Sequence, residues 1–182
     1  MNLRSRFNER KATQVAARFL TRNGRRINYM SLIKLMYLTD REALLRWGSP
    51  VTNDSYFALD RGPVLSSVVN LVKDGGAQSS IWSKHVSAAK NYHVELLRDA
   101  GDDELSRAEE RLIDEIYAKY GRLSQWQLVK FTHTLPEWQE PRGSSIQIDL
   151  EDILEAGGVG ENDREEIVRE LKGLRKMQAL AD

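Results

Sequence analysis

The sequence has no cysteine among its 182 residues, and this absence excludes several kinds of chemistry. Disulfides, thiolate nucleophiles and thiolate metal ligands all require cysteine. The sequence also lacks the run of about 18 apolar residues that a membrane-spanning helix needs, and its first ten residues contain no apolar run of the length found in signal peptides. We therefore expect a cytoplasmic protein that is neither secreted nor inserted into a membrane.

The chain also has no net charge, because 27 basic residues balance 27 acidic ones. No overall field therefore draws it to nucleic acid or to an anionic membrane. The charge is uneven, however: residues 1–26 contain one acid, Glu9, and eight bases, namely Arg4, Arg6, Arg10, Lys11, Arg18, Arg22, Arg25 and Arg26. These bases form either a solvated face or a set of phosphate contacts for DNA autoregulation. Without an added helix-turn-helix segment, nucleic acid is not the expected partner.

Hydrophobic periodicity predicts a mainly helical chain. Apolar residues recur at helical spacing over Lys11–Leu20, and Asn28 can cap a second helix that extends to Trp47. This second helix is apolar on more than one face, so it should be the most buried element. Further helices are predicted from Pro63 to Gly75, from the Ser106–Glu109 capping pattern, after Ser124, over Asp149–Ala156 and over 161–182.

Strand signals are fewer. One strand is predicted over Asp54–Leu59, and a hairpin is predicted from Ser80–Ser83 and Tyr92–Leu97, while Pro141–Ser145 is the best linker candidate. The fold class is therefore mainly α (α+β), a compact helical domain with a small antiparallel β-sheet or hairpin. The length suits one domain, which we assign to residues 1–160. Residues 161–182 then form an amphipathic helix that packs on the domain or serves partner or self association.

Signals for catalysis or metal binding are weak. The glycines of 157–160 have no preceding strand and none of the lysine-serine or lysine-threonine pairs of a phosphate loop. The histidines show no metal-binding spacing: they are His85, His93 and His133. We therefore predict no cofactor, no metal ion and no catalytic residue.

Asp40 and Arg41 are a charged pair at the end of an apolar helix, where each charge must find a partner or solvent. We interpret them as a structural polar clamp. The enzyme alternative is a hydrolase or transferase that uses His133 with Asp40, and it requires the two side chains to meet in a cleft. We predict that the protein is not an enzyme.

Several short motifs follow one another in a distinctive order. They are Leu35–Arg41 (LMYLTDR), Gly48–Tyr56 (GSPVTNDSY), Arg61–Val64 (RGPV), Leu105–Ser106, Tyr120–Gly121, Leu123–Ser124, Leu128, Thr132–His133, Pro136–Trp138 (PEW) and a tail from Ser144 to Leu154. In this order the sequence resembles the Panacea domain, the family of SocA-like antitoxins and phage-associated proteins. One departure is Asn53, where the family more often has glycine. Asparagine accepts a left-handed backbone better than other side chains do, so the turn should be kept.

The resemblance implies a mainly helical domain with a small antiparallel sheet that binds a co-expressed toxin directly and neutralises it. Two further partners remain open: a cytoplasmic protease to which the domain delivers the toxin, and a second copy of the chain in a homodimer. Candidate partner-binding residues come from the motifs, from aromatic residues beside turns and from the apolar stripe of the last helix. They are Asp54, Tyr56, His133, Trp138, Leu171 and Leu174.

Overall fold

The computed structural model describes residues 7–77 and 81–181, which form eight helices and five strands around one central helix. Helix α2 has more buried residues than any other helix, as its breadth of apolar positions predicts. The elements follow in this order: α1 (Glu9–Arg22), β1 (Arg26–Asn28), α2 (Tyr29–Trp47), β2 (Tyr56–Leu59), β3 (Gly62–Leu65), α3 (Ser66–Asp74), α4 (Trp82–His85), β4 (His93–Glu95), α5 (Arg107–Tyr120), α6 (Gln125–Thr132), β5 (Ile146–Ile148), α7 (Leu150–Ala156) and α8 (Glu161–Leu180).

The ends of α2 are set by local chemistry. The Asn28 side chain accepts hydrogen bonds from the backbone N–H groups of Met30 and Ser31, at 3.0 and 3.3 Å, which satisfies donors that have no partner inside the helix. At the other end Gly48 adopts a left-handed conformation with φ of 67°, which glycine does without steric cost. The predicted cap and stop of this helix are both confirmed.

Replacing Leu35 or Met36 with alanine is expected to lower the free energy of unfolding by about 2 to 5 kcal/mol. Both side chains are fully buried in α2, so each substitution leaves a cavity that the surrounding helices fill only in part. Urea denaturation measures the effect. Leu97→Ala is the control, because Leu97 is half exposed and should change stability by no more than about 0.5 kcal/mol. Equal midpoints for the core variants and wild type would mean that α2 is not the core.

Two small antiparallel sheets flank the helices. In the larger one β2 is central and pairs with β3 on one side and β5 on the other, with Phe57 opposite both Val64 and Gln147. The smaller one joins β1 to β4, with Ile27 opposite Val94. The fold is therefore mainly α with small antiparallel sheets, as the sequence predicts.

The prediction that Pro63 begins a helix is wrong. Pro63 lies in strand β3, and α3 begins three residues later at Ser66. Proline is accepted there because β3 is an edge strand of its sheet, where a missing backbone N–H removes no ladder hydrogen bond on the open side. The start of α3 is instead fixed by a residue outside the helix, Asp54, which is described below.

The predicted hairpin is also wrong in its first strand. Trp82 and Ser83 belong to the short helix α4, and residues 78–80 lie outside the described residues. Trp82 is fully buried, and a helical turn directs it into the core. The second strand is confirmed over His93–Glu95, but its partner is β1, 65 or more residues earlier in the chain. Two isolated bridges, Val86 with Leu96 and Lys90 with His93, link this region to the segment after α4.

Several local predictions are confirmed. Ser106 and Ser124 each form a reciprocal capping box, with Glu109 and Gln127 respectively, and α5 and α6 start there. Asn53 has a φ of 55°, so the turn is kept with asparagine at the left-handed position. Strand β5, which directly follows the predicted linker, was not indicated by the sequence, and neither were the short strands β1 and β3.

Candidate functional site

The carboxylate of Asp40 holds the segment that follows α2. Its Oδ1 accepts hydrogen bonds from the backbone N–H groups of Val51 and Thr52, at 3.1 and 3.0 Å, and its Oδ2 accepts from the hydroxyl of Thr52 at 2.6 Å and from that of Tyr56 at 3.3 Å. Burial raises the pKa of Asp40 to about 7, against the opposing effect of the Thr52 donors. This residue is a clamp between α2 and the loop 50–56.

Asp54 is the cap of helix α3. Its carboxylate accepts hydrogen bonds from the backbone N–H groups of Ser67 and Val68, at 2.9 to 3.1 Å, where negative charge is favoured by the helix dipole. Both Asp54 and Tyr56 are buried, and the Tyr56 ring lies edge-on to Tyr37. Their partner-binding role stays a prediction, and their contacts within the chain favour a structural one.

The Arg41 guanidinium does not pair with Asp40 but with Glu137, 96 residues later. Its Nε donates to Glu137 Oε1 at 2.6 Å, and the Tyr37 hydroxyl donates to the same oxygen at 2.9 Å. The Glu137 side chain is completely buried. Since Glu137 belongs to the Pro-Glu-Trp motif, this ion pair fastens the segment after α6 to α2.

The other motif residues complete the same interior contact. His133 stacks on Trp138 with ring centroids 3.9 Å apart, and Trp138 Nε1 donates to the carbonyl of Leu59 at 3.0 Å. His133 Nε2 is buried and has no hydrogen-bond partner in the described part of the chain. The hydrogen-bond donors to Asp40 within residues 7–77 and 81–181 do not include His133, so the chain shows no acid–base dyad of these two residues.

Gly62 allows the backbone of β3 to lie close against side chains of α2 and α6. It has a φ of +101°, and a Cβ placed there would lie 2.7 Å from Thr132 Oγ1 and 3.1 Å from Lys34 Nζ. The Lys34 ammonium donates to the carbonyl of Pro63 at 2.9 Å and is almost fully buried. The Arg-Gly-Pro-Val motif is therefore explained by close packing of β3 on α2 and α6.

The surface next to this interior network carries an exposed tryptophan. Trp126 on α6 is 57% exposed, and the guanidinium of Arg61, in the β2–β3 turn, lies 5.5 Å from its ring centre. Lys130 follows Trp126 by four residues on α6 and is exposed, so it lies on the same side of the helix. We call Arg61, Trp126 and Lys130 the Trp126 face.

Comparison with protein families decides the identity of this domain. The family model described as antitoxin SocA-like, Panacea domain, matches residues 32–139. The chain belongs to this family. No curated protein and no solved structure matches it.

The Panacea match includes both the interior network and the Trp126 face. It runs from α2 to the residue after Trp138, so Asp40, Glu137 and Trp126 all lie inside it. Helix α8 lies outside. The residues that the sequence singled out as motifs are thus mostly interior ones that hold the Panacea fold together, whereas Trp126 is at the surface.

The last helix of this SocA-like protein is anchored in the core by side chains near its middle. Val168 and Leu171 pack into the core, and Ile167 lies against Gly48 at the end of α2. Further along, Leu174 and Met177 are 57% and 69% exposed. Of the two stripe residues predicted to bind a partner, Leu171 is therefore buried in its own domain and Leu174 is accessible.

Removing residues 173–182 is expected to leave the stability of the protein within about 1 kcal/mol of wild type, because the removed side chains are mostly exposed. Removing 161–182 deletes Val168 and Leu171 as well and is expected to cost several kcal/mol, roughly 1.5 to 3 kcal/mol for each buried side chain. Thermal unfolding of the two truncated proteins tests this. Equal loss in both would show that the exposed end of α8 is also part of the core.

The basic N-terminal region is occupied by internal ion pairs. Lys11 pairs with Glu109 at 2.7 Å, and Arg18 and Arg22 both pair with Asp114, at 2.8 and 2.6 Å. These contacts join α1 to α5 and neutralise much of the positive charge that suggested DNA contacts; Arg4 and Arg6 lie outside the described residues. The basic side chains of α1 thus hold this helix against α5.

Neither a metal centre nor a membrane-spanning helix is found among the described residues. Among residues 7–77 and 81–181, no group of three or more His, Asp or Glu side chains is placed to hold a metal ion. No helix in that part of the chain is long and apolar enough to cross a bilayer.

Proposed function

We propose that this SocA-like protein is the antitoxin of a toxin-antitoxin pair and that it neutralises a co-expressed toxin by direct binding. The observation that carries the proposal is the Panacea match over residues 32–139. It is supported by the interior hydrogen bonds of that region, in which Asp40 and Glu137 join α2 to the segments that carry its surface. A preformed surface binds with a smaller entropic cost than one that must order on contact.

The contacts of the polar motif residues support a binding role rather than a catalytic one. Asp40 accepts four hydrogen bonds from within the chain. Glu137 accepts hydrogen bonds from Arg41 and Tyr37, and the His133 ring stacks on Trp138. Groups held in this way fix the fold and are not presented to a substrate. We therefore propose a non-enzymatic protein that acts in the cytoplasm, where it meets a toxin made in the same cell.

The experiment uses the purified protein and the purified product of the reading frame encoded beside it, with no protease present. Activity of that product is measured as antitoxin is added. Direct neutralisation predicts a linear loss of activity that ends at a fixed molar ratio. If inhibition appears only when a cytoplasmic protease and ATP are added, the protein is an adaptor that delivers the toxin for degradation. If the product is not toxic, or is not inhibited under either condition, the proposed function is overturned.

A further inference from the structure

The two bases of the Trp126 face form no ion pair within the described residues. The bases of α1 pair with acids of α5, but within the described residues neither Arg61 nor Lys130 has an acidic group within 4 Å. The stretch 117–136 contains the three bases Lys119, Arg122 and Lys130 and no acid. The nearest acid in the β2–β3 turn, Asp60, accepts a hydrogen bond from the backbone of Gly143 instead. The positive charge around Trp126 is therefore available to a partner.

The arrangement of Trp126 and Arg61 fits a binding anchor. Tryptophan and arginine are the residues most enriched among those that dominate the binding energy of protein interfaces. The Arg61 guanidinium over the indole ring limits the freedom of both side chains before contact, so less entropy is lost when a partner covers them. An exposed indole beside bases is complementary to a partner that offers an apolar group with acids next to it.

From this we infer that the Trp126 face is the toxin-binding surface and that it takes an acidic segment of the toxin, with one apolar side chain covering the Trp126 ring. The inference rests on the proposed function. A protein segment suits the face better than single-stranded nucleic acid, because nucleic-acid platforms stack successive bases on several aromatic rings. Here one indole is exposed on α6, while the neighbouring aromatic side chains Tyr120 and Phe131 stack on each other and are partly buried.

The test is calorimetric titration of the full-length protein with the purified product of the neighbouring reading frame. Trp126→Ala is expected to weaken binding by about 30-fold or more, the effect of losing an interface anchor. Arg61→Gln and Lys130→Gln should each weaken it by about 5- to 10-fold at low salt, and the double variant should lose most of the salt dependence seen in wild type. The control is Trp47→Ala, which removes an exposed tryptophan of another helix and should leave binding unchanged. Circular dichroism checks that all variants are folded.

The outcomes separate the two proposals. If wild type binds and inhibits the product but Trp126→Ala does so equally well, the Trp126 face is not the binding surface, and the antitoxin function stands. If wild type does not bind the product at all, the antitoxin function fails and the inference fails with it. The alternative occupant, single-stranded nucleic acid, is tested by measuring the binding of a labelled single-stranded RNA by fluorescence anisotropy. Binding of RNA by wild type that is lost in Trp126→Ala, together with unaltered toxin binding, would assign the face to nucleic acid and overturn the inference.

Discussion

Replacing Glu137 with alanine is expected to lower the free energy of unfolding by about 3 to 5 kcal/mol, the cost of leaving one charge of a buried ion pair without its partner. Glu137 is the shared acceptor of the Arg41 guanidinium and the Tyr37 hydroxyl, and its side chain has no contact with solvent. Its removal also frees the segment after α6, which carries Trp138. Urea denaturation at neutral pH measures the loss.

Two further variants distinguish charge from shape. Glu137→Gln keeps an oxygen that can accept from Tyr37 and should lose less than Glu137→Ala. Arg41→Met combined with Glu137→Leu replaces both charges by apolar groups of similar size, and its cost should be smaller than that of Glu137→Ala alone. Glu140→Gln is the control on an exposed acid three residues later. A Glu137→Ala protein within 1 kcal/mol of wild type would show that the ion pair is not buried in solution.

The helices could be predicted well because their signals are local. Asn28, Ser106 and Ser124 each accept a hydrogen bond from a backbone N–H two or three residues ahead, and such a contact can be read from a few consecutive letters. Gly48 stops α2 for an equally local reason. The same locality explains why Asn53 could be expected to keep its turn.

Most strand partners could not be predicted, because each strand is only three or four residues long and, apart from the pair β2 and β3, gains its partner from far along the chain. Strand β4 pairs with β1, and β5 pairs with β2. The alternation of apolar and polar residues within one strand does not indicate which distant segment it pairs with. Pro63 shows the same difficulty. Its fixed φ suits both the first turn of a helix and an edge strand, and the choice depends on Asp54, which caps α3 from outside.

The site could be predicted in part. Asp40 and Arg41 were recognised as charges that must be partnered. The partner of Arg41 is Glu137, 96 residues away, and nothing in the sequence around Arg41 indicates that residue. Trp126 was not among the predicted partner-binding residues, although its helix carries a usable signal. It lies about 200° around α6 from the buried Leu128, so a helix that buries Leu128 and Thr132 must turn Trp126 towards the surface.

Lys34 is the second residue with a large expected effect, and the sequence analysis did not single it out. It lies between Ile33 and Leu35 in a helix that is apolar on more than one face, which was the available signal. In the structure its ammonium group has one described hydrogen bond, to the carbonyl of Pro63. Burial lowers the pKa of Lys34 from 10.5 to about 7, because the charged form loses its hydration in the interior.

The direction of the pH dependence follows from the number of bound protons. Between pH 7 and pH 10.5 the lysine is protonated in the unfolded chain and mostly neutral in the folded one. The unfolded state therefore binds more protons, and stability must rise with pH over this window. The full shift corresponds to on the order of 5 kcal/mol. Asp40 acts in a different window, below its raised pKa of about 7, so it contributes little above pH 7.5. Burial also raises the pKa of Tyr37 and Tyr56 well above the ordinary value, but both tyrosines are present in wild type and in a Lys34 variant, so their effect cancels in the difference between the two.

Wild type and Lys34→Met should accordingly differ in how their stability responds to alkali. From pH 7.5 to pH 10 we expect wild type to gain about 3 kcal/mol relative to Lys34→Met, since methionine fills a similar volume and does not titrate. Urea denaturation at three pH values in this range measures the difference. Lys73→Met removes an exposed lysine of α3, and its stability should stay parallel to wild type throughout. If Lys34→Met also runs parallel to wild type, then Lys34 keeps its proton in the folded protein and its ammonium group must reach water.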